Sequence, residues 1–209
     1  MFRRRLTLVL VLFASVVALA AWVAAASLLV TERQVLRGRV ASDIATGFIQ
    51  LSAQKQRLRT WVAQVQQGAS ADLSMRSELL AAMQGTLQRL KVLDAQAADL
   101  DGSHDARLEH QRRLQTLAVL EQSVTALDRA VQEVRPLAKG VDADQAWREL
   151  SRVFDMAEGH DLRKLIAESI VREAAAVQRE RVAADGTLAW VRWLWLASAA
   201  LLAAGAVTA

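Results

Sequence analysis

The sequence has no cysteine, no tyrosine and a single proline, Pro136, in 209 residues. Without cysteine there is neither a disulfide framework nor a thiolate metal site. One proline and an aromatic content of 5% suit long uninterrupted helices better than sheets. Histidine is scarce too. His104, His110 and His160 are the only three, and none has a histidine or acidic partner at a recognised metal or triad spacing. No glycine-rich phosphate loop occurs. The chain is therefore assigned no catalytic residue, no metal and no cofactor.

Charge is unevenly placed. The 26 basic residues exceed the 22 acidic ones by four, and the surplus is Arg3, Arg4, Arg5 and Arg192. Residues 31–188 hold all the acids and as many bases, so that segment is net neutral. A nucleic-acid binder would carry its excess on the folded domain. Here the excess flanks two uncharged apolar stretches, and nucleic acid is not an expected partner. Arginine outnumbers lysine 22 to 4 and alanine is abundant, as in a GC-rich bacterial gene.

The two stretches are Leu6–Val30, 25 residues, and Trp193–Ala209, 17 residues. A helix crosses a bilayer with about 20 apolar residues, so both are expected as transmembrane helices. A cleaved signal peptide is the rival for the first, with Arg3–Arg5 as its basic region and Ala24-Ala25-Ala26 as a cleavage-like site. The run is longer than such segments and continues past the small residues. Trp190, Trp193 and Trp195 around Arg192 look like an interfacial belt. Arg3–Arg5 would stay cytoplasmic, which puts residues 31–188 in the periplasm and the chain in the bacterial inner membrane. The expected parts are 1–30, a short cytoplasmic N-terminus and first span; 31–188, a helical sensory bundle; and 189–209, a second span that is truncated.

Between the stretches, apolar residues recur at helical spacing. Ile44, Leu51, Leu58 and Val65 stand seven apart, with Phe48 and Val62 on the second seam position. A first helix ends near Gln67. A second, from Leu73, carries Leu80, Met83, Leu87, Leu90 and Ala97, with Leu79 and Leu93 alongside. A third carries Leu117, Leu120, Val124, Leu127, Val131 and Val134, with Ser103 as its N-cap, and stops before Pro136. A fourth begins near Ala143 with Trp147, Leu150, Phe154 and Ala157. Its apolar face then changes phase at Gly159, to Leu162, Ile166 and Ile170, and the helix runs on into the second span. Gly159 and Gly186 are its weak points. Short loops make such helices antiparallel neighbours. The expected fold is all-α: an antiparallel up-down-up-down four-helix bundle flanked by two transmembrane helices.

Polar residues on the apolar seams mark candidate sites. Lys55 interrupts the first seam between Leu51 and Leu58, with Arg59 one turn on, and Arg76 stands seven before Met83. Lys55, Arg59 and Arg76 together could bind a small anion or carboxylate; snorkelling at a bundle end is the plain alternative. Asp94 stands seven after Leu87, near the height of His110 and Arg113 on the third helix. It reads as a structural ion pair or, more sharply, as a proton-sensitive Asp94–His110 pair.

His160-Asp161-Leu162-Arg163-Lys164-Leu165-Ile166 resembles the phospho-acceptor box of histidine kinases but lacks the usual proline two residues after the arginine. It reads better as a helix restart with Asp161 near the N-cap. The whole layout resembles the input modules of bacterial transmembrane receptors: sensor histidine kinases, chemoreceptors and diguanylate cyclases. Leu165 to Trp190, with Glu173, Val177 and Arg181, looks most like sensor kinases. That resemblance implies a membrane-anchored sensory module of a two-component histidine kinase, with the output domain missing from this chain. Its implied partners are the lipid bilayer, a second copy in a homodimer, and a small anionic ligand or a periplasmic protein. A non-enzymatic scaffold or adaptor is the alternative.

Overall fold

The computed structural model describes residues 2–67, 73–132, 143–157 and 160–208. It contains five helices: α1 (Phe2–Gln66), α2 (Leu73–Leu100), α3 (His104–Gln132), α4 (Ala143–Asp155) and α5 (Leu162–Thr208). Two two-residue strands, β1 (Met156–Ala157) and β2 (His160–Asp161), join α4 to α5. They pair antiparallel, Met156 opposite Asp161 and Ala157 opposite His160. The chain divides into two compact units, Met1–Arg39 with Val177–Ala209, and Val40–Ala176.

The expected spans at Leu6–Val30 and Trp193–Ala209 are corrected. Among the described residues no helix is long and apolar enough to cross a membrane. The bundle flanked by two transmembrane helices is therefore not the architecture found. The inner-membrane placement built on those spans, with 31–188 periplasmic, falls with it.

The fourth helix is also corrected. It is not continuous from Ala143, because α4 stops at Asp155 and α5 starts afresh at Leu162. The Asp161 Oδ1 accepts the backbone N–H of Lys164 at 3.0 Å. That is an N-cap bond, and it gives α5 an independent start. The same N–H holds the Asp161 carboxyl below the usual carboxylate range. Gly159, the expected bend, lies outside the described residues, and α5 is continuous through Gly186.

In the larger unit the apolar seams close on one core. From α1 it takes Val40, Ile44, Phe48, Leu51, Leu58, Val62 and Val65; from α2 Leu80, Met83, Leu87, Leu90 and Leu93. From α3 come Leu117, Leu120, Val124, Leu127 and Val131, and from α4 and α5 Phe154, Leu162 and Ile166. Trp61, absent from the seam reading, is buried as well. Two contacts fix α1 antiparallel to α2. Gly47 lies against Leu90, while further along α1 the Gln54 Nε2 donates to Thr86 Oγ1 at 3.0 Å, nearer the start of α2. The turn from α2 to α3 is three residues. In it Asp101 Oδ1 accepts the Ser103 N–H at 2.9 Å, and Ser103 Oγ, as expected of an N-cap, accepts the Ala106 N–H at 3.2 Å.

In the smaller unit, Gln34 Nε2 on α1 donates to Thr187 Oγ1 on α5 at 2.7 Å. This unit exposes large apolar side chains, among them Trp22, Leu28, Trp190 and Trp193.

The two helices at Gly47 meet without room for a side chain, since a Cβ there would stand 2.6 Å from Leu90 Cδ2. Gly85, inside α2, has nothing within 4 Å of the same position. Gly85→Ala should stabilise the protein by about 0.5–1 kcal/mol through helix propensity. Gly47→Ala should lose that gain or reverse it, because Leu90 has to move. Urea unfolding of the two variants side by side checks both.

Candidate functional site

Three seam positions carry ionised side chains instead of apolar ones. Asp94 stands seven after Leu87 on α2, Arg113 seven before Leu120 on α3, and Glu173 seven after Ile166 on α5. A seven-residue step returns a side chain to nearly the same helix face, so each points where its apolar neighbours point. The structure brings the three together. Arg113 Nη1 donates to Asp94 Oδ1 at 3.0 Å, and Arg113 Nε donates to Glu173 Oε1 at 2.9 Å. Asp94 and Glu173 are each only 1% exposed. One guanidinium thus bridges carboxylates from two other helices, each through a charge-assisted bond.

His110, one turn before Arg113, places Nδ1 2.8 Å from Asp94 Oδ2. The pair is close but not aligned as a hydrogen bond, and both atoms are buried without a hydrogen-bond partner. Glu109 stands beside His110, with Oε2 3.8 Å from Arg112 Nη1 and Oε1 buried without a partner. Glu173 Oε2 is in the same condition.

The electrostatics follow from burial. Loss of water pushes the Glu173 carboxyl above the ordinary glutamate range, although Arg113 pulls it down, and the charge of Glu109 adds to the upward shift. For Arg113, burial works against the charge, but Glu173 and Asp94 outweigh it and hold the guanidinium more firmly protonated than usual. When all three are ionised, Asp94, Glu173 and Arg113 sum to one negative charge in the interior.

The cations singled out in the sequence fall elsewhere. Lys55 Nζ lies 3.8 Å from Asp155 Oδ1, and Arg59 Nη1 lies 3.3 Å from the same oxygen. Burial pushes the Lys55 ammonium below its ordinary value, against the pull of Asp155. Two cations thus approach one carboxylate oxygen there. Arg76 is half-buried on α2, with Nε buried and without a hydrogen-bond partner among the described residues. The side chain of His160 lies outside the described residues.

Asp94 with His110 and Arg113 was legible from helix height. Glu173 was missed, although its seam position was a usable signal. Asp155 was missed as well, and its place beside Phe154 at the end of α4 gave no such signal. In comparisons with known proteins no family model matches the chain, and neither a characterised relative nor a solved structure matches it.

Removing Arg113 would strand two buried carboxylates. Arg113→Met should destabilise the protein by about 3–5 kcal/mol. Replacing the set together, Asp94→Leu with Arg113→Met and Glu173→Leu, should restore stability to within about 1 kcal/mol of the parent or exceed it. Denaturant midpoints of the single and triple variants measure the difference.

Proposed function

We propose that the chain is a sensory input module of a bacterial signal-transduction receptor, of the kind that feeds a sensor histidine kinase, and that it works as a homodimer. The observation that carries this reading is the Asp94–Arg113–Glu173 bridge. It ties α2, α3 and α5 together through ionic bonds in the middle of an apolar core. Stability alone does not call for it, because apolar side chains of similar volume hold helices as well or better. A bridge of this sort makes helix packing depend on an ionic state. A packing preference of a few kcal/mol that a stimulus can bias is what a receptor input needs.

A non-enzymatic adaptor is the second reading. What favours it is the exposed apolar surface of the smaller unit, with Trp22 and Trp193 each about 70% exposed. Surfaces of that kind mark interaction sites.

Two measurements test the sensory reading. The coding sequence beyond Ala209 should continue into a helical linker and an ATP-binding output domain. A stop codon there, or an unrelated continuation, would overturn the kinase assignment. In the intact receptor, Glu173→Gln should shift basal output by roughly fivefold or more. Unchanged output with a stable fold would sink the reading.

A further inference from the structure

Among the described residues, six buried polar side-chain atoms have no hydrogen-bond partner, and four of them belong to this one cluster: Asp94 Oδ2 and His110 Nδ1, which face each other at 2.8 Å, and Glu109 Oε1 and Glu173 Oε2, the two carboxylate oxygens left over. Native interiors leave few such atoms, so their concentration needs a physical reason. Three of the four are carboxylate oxygens, which when ionised can only accept hydrogen bonds and have none to donate. The site has more acceptors than donors and more negative than positive charge. A metal ion could supply the missing charge, but no group of three or more His, Asp or Glu among the described residues is arranged to hold one. A proton supplies the same charge and needs no coordination geometry.

The groups around Glu173 identify where the proton goes. α3 presents Arg113, bonded to Glu173 Oε1, and Glu109, whose charge disfavours a second anion. Arg172, the neighbour of Glu173 on α5, opposes that effect weakly. α2 presents Asp94, which already competes for Arg113 and faces His110. On α1 the acid at this level is the half-buried Asp43, one turn before Gly47; Gly47 meets Leu90, one turn before Asp94. Arg113 makes two ion pairs only while both acids are ionised.

We infer that Glu173 takes up a proton as pH falls, that Arg113 is then left to Asp94, and that α5 is released from its ionic bond to α3. The proton comes from solvent and adds to a Glu173 carboxylate oxygen; no other bond of the chain is broken. This deepens the sensory reading, on which it rests for its biological meaning, by naming mild acidity as the stimulus. The sign is fixed by the chemistry. A carboxyl that holds its proton more tightly folded than unfolded adds stability that is fully present below the unfolded value. That stability is lost as pH rises through the folded value.

The test is a pH titration of the full 209-residue chain, read by melting temperature and by hydrogen exchange of amides around Glu173. One step is expected, with its midpoint above the ordinary glutamate value of 4.5. Melting temperature should rise as pH falls through it. Glu173→Gln, a neutral near-isostere of the protonated acid, should abolish the step. Glu109→Gln, at a half-buried position, should move the midpoint to lower pH, and His110→Gln should leave the step in place. A step that survives in Glu173→Gln, vanishes in His110→Gln, or is absent from the parent overturns the inference. A chain that titrates as expected, in a receptor whose output ignores Glu173→Gln, supports the proton step and refutes only the sensory reading.

Discussion

The arrangement of the larger unit depends on one guanidinium, only 14% exposed, that serves two buried acids. Arg113 is the only cation with hydrogen bonds to both Asp94 and Glu173 among the described residues, and those two acids come from different helices. A charge in an apolar interior is tolerable only while it is paired, because the desolvation cost of each ion is several kcal/mol. α2, α3 and α5 are therefore constrained together. Rotating any one of them by a residue would break a charge-assisted bond as well as shift an apolar face. The seams supply most of the attraction between the helices; the bridge supplies directional information that apolar contacts lack.

The core shows what happens where the ionic constraint is absent. Between α1 and α2 the fit is steric, with Leu90 filling the space that Gly47 leaves open. A polar contact, Gln54 to Thr86, accompanies it, and Thr86 also donates to Ala82 O at 2.9 Å, so its hydroxyl both donates and accepts. That contact is neutral and satisfied, whereas the bridge at Asp94, one turn beyond Leu90 on α2, is charged. The same helix thus has one turn set by shape and the next set by charge.

How much of this was readable in the sequence differs by kind of signal. Seven-residue spacing placed nearly every described core residue of α1, α2 and α3, because periodicity records directly which face is buried. The caps at Ser103 and Asp161 were readable for a similar reason, since each bond is local in sequence. Asp94 could be matched to His110 and Arg113 by counting from a three-residue turn. Glu173 could not be matched that way, because the height of α5 against α3 depends on the joint after α4, and no count along the chain gives it. The membrane assignment rested on uncharged runs counted end to end, and among the described residues no helix is long and apolar enough to cross a bilayer.

The joint at Met156–Asp161 has a consequence for how this chain can vary. In a continuous helix each inserted residue turns everything downstream by about 100°, so the apolar faces on either side of an insertion cease to agree. A two-residue antiparallel pairing followed by a fresh cap transmits no such rotation. α4 and α5 keep separate angular frames, and Phe154 and Leu162 both reach the core without sharing one. A residue gained or lost within this corner alters the length of a turn and leaves the bearing of Glu173 intact. The corner is thus the natural place for the protein to absorb insertions and deletions through descent.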